Sequence, residues 1–291
     1  MGLIDLHVHA GPSVMPRSVD GVEMLNDAVA AGYSAFVIKD HYFPTMMGAQ
    51  MIEKHLGKDK CRVFGGIALN NSVGGINLKA VDAAVALGAK IVWMPTVSSQ
   101  RHKDMHSGKG LAFPGSKGMS VPEKCIYYLD ESGNVRPEVV EVLNYLSEHK
   151  DVILATGHGC RDEVDACVRK AHELGIEKIL INHPHYMIGA SIEDMAAWSK
   201  MGAYIELNAT VFVPDSKFCT NDIMQCREIV DAVGVDHIVI DSDYGQKRNE
   251  PPVNGLLKFI NMLKKQCGFT EQDIRKATEI NPAKLLGIEI R

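Results

Sequence analysis

Apolar, β-branched runs alternate with amphipathic segments along the whole chain. The runs near 3–9, 33–41, 61–70, 89–96, 151–158, 177–184, 202–208 and 235–243 read as strands. Their near-continuous hydrophobicity suits strands covered on both faces. Between them, apolar residues at helical spacing predict helices near 19–31, 45–56, 76–87, 136–149, 162–174, 191–200, 220–232 and 253–266. Gly32, Gly88, Gly175, Gly202 and Gly234 each stand where such a helix stops and the next strand begins. Eight βα units of this kind predict an all-parallel sheet wrapped in helices.

Successive strands start roughly 25–33 residues apart, apart from one interval of roughly 62 after strand 4. The extra stretch, about 97–135, contains Gly108, Gly110, Pro114, Gly115, Gly118 and Pro122. It then offers a hairpin-like Ile126-Tyr127-Tyr128-Leu129 followed by a turn over Asp130–Asn134. An excursion of that length on a compact scaffold reads as a lid or binding loop. No linker divides the chain, so residues 1–291 read as one domain.

Eight βα units fit either a closed (β/α)8 barrel or an open doubly wound sheet. The dinucleotide fingerprint Gly-x-Gly-x-x-Gly is absent after the first strand. Polar residues also collect at the C-terminal ends of strands that an open sheet would hold far apart, whereas a barrel brings those ends to one mouth. The reading is therefore α/β: a single (β/α)8 TIM barrel with a lid-like insertion after strand 4.

Those strand ends carry the candidate chemistry. Strand 1 ends in His7-Val8-His9, whose period of two places both imidazoles on one face, where they can chelate one divalent cation. Strand 2 ends in Lys39-Asp40-His41, with Lys39 and His41 sharing a face. Strand 5 ends in His158, strand 6 in His183 with His185 just beyond, and strand 8 places Asp241 and Asp243 together. Taken singly, each has a bland alternative as a loop residue, a cap or a solvated charge. A buried Lys without a partner is rare, and Val37-Ile38 precede Lys39 directly.

Together, His7-x-His9, His158, His183 and Asp243 resemble the metal-dependent hydrolases of the amidohydrolase superfamily over essentially the whole chain. The tail Asn281-Pro282-Ala283-Lys284-Leu285-Leu286-Gly287 is similar to the segment that closes such barrels. Asp241-Ser242-Asp243-Tyr244 resembles their strand-8 stretch and favours Asp243 as the functional carboxylate. The resemblance implies His7 and His9 on one metal, with His158 and His183 on a second or serving catalysis in single-metal members. It also implies that Asp243 is both ligand and general base.

The chain departs from that pattern at strand 4, where Ile91-Val92-Trp93-Met94-Pro95-Thr96 offers no bridging carboxylate. Lys39 has the parity to substitute as a carboxylated ligand. With His7 so near the start, there is also no room for an N-terminal β-sandwich. That points to the compact barrels of the superfamily: phosphotriesterase-like, TatD-type and decarboxylase-like.

The expected cofactor is one or two divalent ions, zinc first, with manganese or iron as alternatives, because imidazoles suit borderline metals. The expected activity is hydrolysis of a small amide, lactone or ester, with Asp243 as base and His41 and His185 stabilising the oxyanion or holding the substrate. A decarboxylase or other C–C lyase is the alternative on the same barrel, and a non-catalytic metal-binding barrel the remote one. In the insert, Arg101, His102, Lys103, His106, Lys109 and Lys117 face only Asp104, which reads as a solvated loop or as a clamp for an anionic substrate.

A net charge of −5, with 23% charged residues, gives no footprint for nucleic acid or an anionic membrane, so a small-molecule substrate is the expected partner. Homo-oligomerisation is left open. The seven scattered cysteines, with no Cys-x-x-Cys, and the absence of a leader-like start lead to an expectation of reduced thiols in the cytoplasm.

Overall fold

A computed structural model of the chain describes residues 2–57, 60–107 and 119–290. Eight parallel strands follow one another in sequence order: β1 (Leu3–Val8), β2 (Tyr33–Ile38), β3 (Arg62–Ala68), β4 (Ile91–Trp93), β5 (Ile153–Ala155), β6 (Ile179–Ile181), β7 (Tyr204–Asn208) and β8 (Ile238–Asp241). A parallel bridge between Val8 and Tyr244 closes the ring, and His9 N–H donates to the Tyr244 carbonyl at 2.9 Å. The (β/α)8 barrel expected from the pattern is the observed fold.

Alternation along each strand sorts two apolar layers. Ile4, Leu6, Ala35, Val37, Ile91, Trp93, Ile153, Ala155, Leu180 and Val239 fill the barrel, plugged from below by Ala283, Leu285 and Leu286. Their neighbours Phe36, Ile38, Val92, Leu154, Ile205 and Ile240 point outward beneath the helices. This is why the strands lack a polar face. The principal helices are α1 (Gly21–Ala30), α2 (Met46–Ile52), α3 (Leu78–Ala86), α4 (Gln100–His106), α5 (Pro137–Glu148) and α6 (Arg161–Glu173), then α7 (Ile192–Lys200), α8 (Ala209–Phe212), α9 (Met224–Val233) and α10 (Pro252–Gln266). Helix α1 begins on a capping box, Asp20 accepting from Val22 and Glu23 N–H while Glu23 returns to the Asp20 amide. Such a cap is worth about 1 kcal/mol and fixes where the β1–α1 loop ends.

The insert is only partly a loop. It contains α4, which the sequence pattern did not signal, and its return limb is anchored in the body. Ile126 N–H donates to the Ser98 carbonyl, and the fully buried Tyr128 hydroxyl lies 2.9 Å from the Thr156 carbonyl. The expected turn is present, with Asp130 Oδ1 accepting from Ser132 and Asn134 and Leu129 bridging Val135. Lys109 and Lys117, with the Gly- and Pro-rich stretch 108–118, lie outside the described residues. All seven cysteines are free thiols. Among the described residues no helix is long and apolar enough to cross a membrane.

Candidate metal centre

The C-terminal strand ends converge on a buried cluster, and the backbone departs from plain alternation at several of the functional side chains. On β1, Asp5 pairs with Phe36 and Val8 with Ile38, so Leu6 and His7 stand opposite Val37 alone. This bulge shifts the phase and sends His7 and His9 inward although Ile4 and Leu6 already line the barrel. Strands β5 and β6 are shorter than their apolar runs suggest, and strict alternation would turn His158 and His183 outward. Gly157 (φ 65°) re-aims the chain at the first, where a Cβ would sit 2.3 Å from the Met94 carbonyl oxygen. His183 adopts a left-handed backbone itself (φ 47°), as does Asp243 (φ 49°). Non-glycine residues in that region cost of order 1–3 kcal/mol and gather at functional sites.

His7, His9, Lys39, His41, His158, His183 and Asp243 are all buried here. Ring centroids run from His7 to His183 (5.1 Å), His183 to His158 (5.2 Å), His158 to His41 (5.9 Å) and His41 to His9 (4.9 Å). Lys39 points inward as its parity predicts, its Nζ 2.9 Å from His7 Nε2 and 5.4 Å from the centre of the Trp93 ring. His185 is not drawn in. It sits half-buried on the single π-turn Pro184–Ile188 after β6, and no hydrogen bond or ring contact joins it to the cluster.

The outer partners of the histidines define what the cluster can do. His7 Nδ1 lies 2.9 Å from Glu206 Oε1, His9 Nδ1 lies 3.1 Å from the Lys39 carbonyl, and His183 Nδ1 lies 2.7 Å from Asn208 Oδ1. Carboxylate and carbonyl oxygens only accept, so each of these Nδ1 atoms carries a proton, and each ring, when neutral, keeps a lone pair on Nε2. His41 Nδ1 meets Thr96 Oγ1 at 2.9 Å, a hydroxyl that accepts from Asn70 and can donate to the ring, leaving the proton on His41 Nε2, and His158 Nδ1 meets His102 Nδ1 at 2.9 Å. Glu206 and Asn208 are held in turn by Asn182 and Asp241.

Asp243 Oδ1 then stands 3.1 Å from both His7 Nε2 and His9 Nε2. With both rings neutral, three electron-rich atoms face one another, with only Lys39 Nζ against His7 Nε2 among the described residues to offset them, an arrangement suited to a further cation or added protons. His7, His9 and Asp243 form one group able to hold a metal ion, and His7, His183 and Glu206 another. His158 Nε2 is buried with no hydrogen-bond partner among the described residues. The donor set therefore fits a divalent ion of intermediate softness.

Electrostatics agree with this fit. Burial pushes His9 down to about 3 and His183 to about 4, and holds His41 and His158 well below their usual value, so these rings are neutral bases. For His7, burial and Lys39 act downward, but Glu206 and Asp243 outweigh them and raise it. Burial works against the Asp243 carboxylate, yet opposing charge, led by His7 in its protonated form, holds it well below the carboxylate range. Burial lowers Lys39 to about 8.

Sequence reasoning missed Glu206 and Asn208, whose inward parity on β7 is visible in Tyr204-Ile205-Glu206-Leu207-Asn208. It placed His102 only in a charged loop, whereas the ring is buried and stacked on His158. Other insert cations are engaged elsewhere: Arg101 Nε donates to the Met187 carbonyl at 2.8 Å, and Lys103 to the Glu123 carbonyl.

The profile of a family of unknown function, DUF6282, matches residues 2–206. No curated protein sequence matches the chain. Among solved structures, a Pseudomonas putida protein assigned as a 2-pyrone-4,6-dicarboxylic acid hydrolase aligns over 100% of this chain and 99% of its own, with 12% identity and a TM-score of 0.62. An amidohydrolase from Pseudomonas aeruginosa aligns over 98% and 95%, with 13% identity and a TM-score of 0.64. A 2,6-dihydroxybenzoate decarboxylase aligns over 99% and 100%, with 11% identity and a TM-score of 0.61. At these identities the likeness speaks for the fold, which is the barrel that the amidohydrolase resemblance implied.

Proposed function

The chain belongs to DUF6282, a family of unknown function, and we propose that it is a metal-dependent hydrolase of a small anionic substrate with an amide, lactone or ester bond. The observation that carries this reading is the set of Nδ1-anchored histidines around Asp243. Outer partners spend the protons of His7, His9 and His183 and leave Nε2 as the ligating nitrogen. His7, His9 and Asp243 would hold the first ion; His158 and His183, with Lys39 as a carbamate, would hold a second. Zinc suits these donors best, with manganese or iron as alternatives. A divalent ion held here supplies a water of lowered pKa and polarises the scissile carbonyl.

Every other role falls to the chain. Asp243, whose carboxylate is held well below the usual range, takes the proton of the attacking water and returns it to the leaving group. His41 supports the developing oxyanion from the β2 end. His185 stands farther out and contributes to holding the substrate. The structural relatives include a hydrolase assigned to a dicarboxylic acid, which supports a small anionic substrate at this barrel mouth.

A second reading, a decarboxylase or other C–C lyase, is favoured by one observation. Lys39 Nζ lies 2.9 Å from His7 Nε2, and an unmodified ammonium there leaves room for one cation rather than two. Incubating the metal-loaded protein with a panel of carboxylate-bearing lactones, amides and esters, beside 2-hydroxybenzoates, tests the assignment. Turnover of a hydrolysable substrate that is abolished by Asp243→Asn while metal is retained supports the hydrolase. Carbon dioxide release with no hydrolysis replaces it with the lyase.

A further inference from the structure

Arg17 is the cation that neither the metal ligands nor the catalytic groups account for. It lies in the β1–α1 loop, yet its side chain is only 6% exposed. Its position is fixed by the backbone on both sides: Arg17 bridges Gln246, Ser18 N–H donates to the Gly245 carbonyl at 2.8 Å, and Lys247 N–H donates to the Pro16 carbonyl. Gly245 makes this close strapping feasible, because a Cβ there would lie 1.6 Å from the His9 carbonyl oxygen. The guanidinium is thus held between the loops that follow the strands of His9 and Asp243.

Its protein partner is a poor match for its five donors. Arg17 Nη2 reaches Asp40 Oδ2 only at 3.4 Å, and that carboxylate already accepts from Ser13 Oγ and from the Tyr42 and Phe43 amides. Arg17 Nε is buried with no hydrogen-bond partner among the described residues. A buried guanidinium left with an unmade bond is costly unless something completes it. Its charge is felt by His9, Lys39 and His41, and it is itself stabilised by Asp243, so it addresses the same space as the metal ligands.

We propose that Arg17 is the substrate-recognition residue of this site and takes a single carboxylate group of the substrate, bound beside the Asp243 centre. The planar fork of Arg suits a planar carboxylate, charge-assisted and paired. A phosphate dianion suits it less, because one guanidinium shared with Asp40 and close to Asp243 cannot balance two further negative charges. This assignment rests on the reading of the cluster as a catalytic metal centre and names the substrate class for it: a small carboxylic acid whose reacting bond is elsewhere in the molecule.

The test is calorimetric titration of the full-length, zinc-reconstituted protein, with zinc content measured, using benzoate and benzamide. The probes share size and shape but not charge. Benzoate is expected to bind at least about tenfold more tightly than benzamide, the scale of a charge-assisted pair. Arg17→Met should erase that preference at unchanged zinc content, and Arg17→Lys should restore part of it. Equal affinity for the two probes in the unmodified protein, or no binding of either, overturns the assignment without recourse to a variant. A preference that survives Arg17→Met, or Arg17-dependent binding of inorganic phosphate tighter than benzoate, overturns it as well. The two readings separate cleanly: a benzoate preference in a protein that takes up no zinc leaves Arg17 standing and removes the metal centre, while zinc uptake with no preference does the reverse.

Discussion

His102 Nδ1, on the helix of the insert, lies 2.9 Å from His158 Nδ1 at the end of β5, with the two rings stacked at 19°. Ser99 couples the pair a second time, its hydroxyl accepting from the His102 amide and donating to the His158 carbonyl. The insert is therefore the outer support of one candidate ligand. His102→Ala should weaken zinc binding by about 10–100-fold, the range for loss of a group that orients a ligating histidine. His102→Asn, which keeps an acceptor near the Nδ1 position, should recover most of it. Chelator competition reads the affinities; unchanged affinity in His102→Ala would show that the stacked ring only fills space.

Lys39 decides between one ion and two. Burial lowers its amine to about 8, so a minor neutral fraction, far larger than for an ordinary lysine, is present near neutral pH to attack carbon dioxide. The product would be a carbamate anion, with one proton released. On the hydrolase reading, bicarbonate raises the metal content of reconstituted protein from about one toward two equivalents, and Lys39→Met abolishes the increment. Metal content indifferent to bicarbonate would favour the single-ion, lyase-like alternative.

Acid should destabilise the metal-free protein in a defined window. His9 is lowered to about 3 and His183 to about 4, and His41, His102 and His158 are well below 6.5, chiefly through burial. In the unfolded chain each titrates near 6.5. Between about pH 6.5 and 4 the unfolded state therefore binds more protons, and stability falls as pH falls. Asp5, raised to about 6, and Asp241, also raised by burial, act in the opposite sense there, two groups against five, while His7, raised, acts only above pH 6.5. Scanning calorimetry should show Tm dropping steadily from pH 7 to 4; a flat profile would mean that the rings are far better solvated than their burial implies.

The strand and helix pattern was legible because eight apolar runs and their terminal glycines repeat the same unit. His7, His9 and Asp243 could be found because they fall on one face by a period of two. The inward turns of His158 and His183 could not be derived from that period. They depend on the left-handed backbone at Gly157 and at His183 itself, which no alternation rule registers. Helix α4 was hidden for another reason: its charged sequence carries no apolar stripe, and the buried His102 reads as one more loop cation. Glu206 was overlooked although its parity was available, because an acidic residue inside an apolar strand has no distinctive spacing partner. Arg17, in a loop without periodicity, is placed by backbone contacts of residues 16–18 with Gly245, Gln246 and Lys247.

Elemental analysis of the protein purified without added metal, beside His9→Ala, bears most directly on the central claim. The account predicts about one to two equivalents of a transition metal, zinc foremost, in the unmodified protein. It predicts a large loss in His9→Ala with the barrel still folded by circular dichroism, since ligands at the mouth lie above the packed interior layers. Less than about a tenth of an equivalent, not restored by added zinc, manganese or iron, would contradict it.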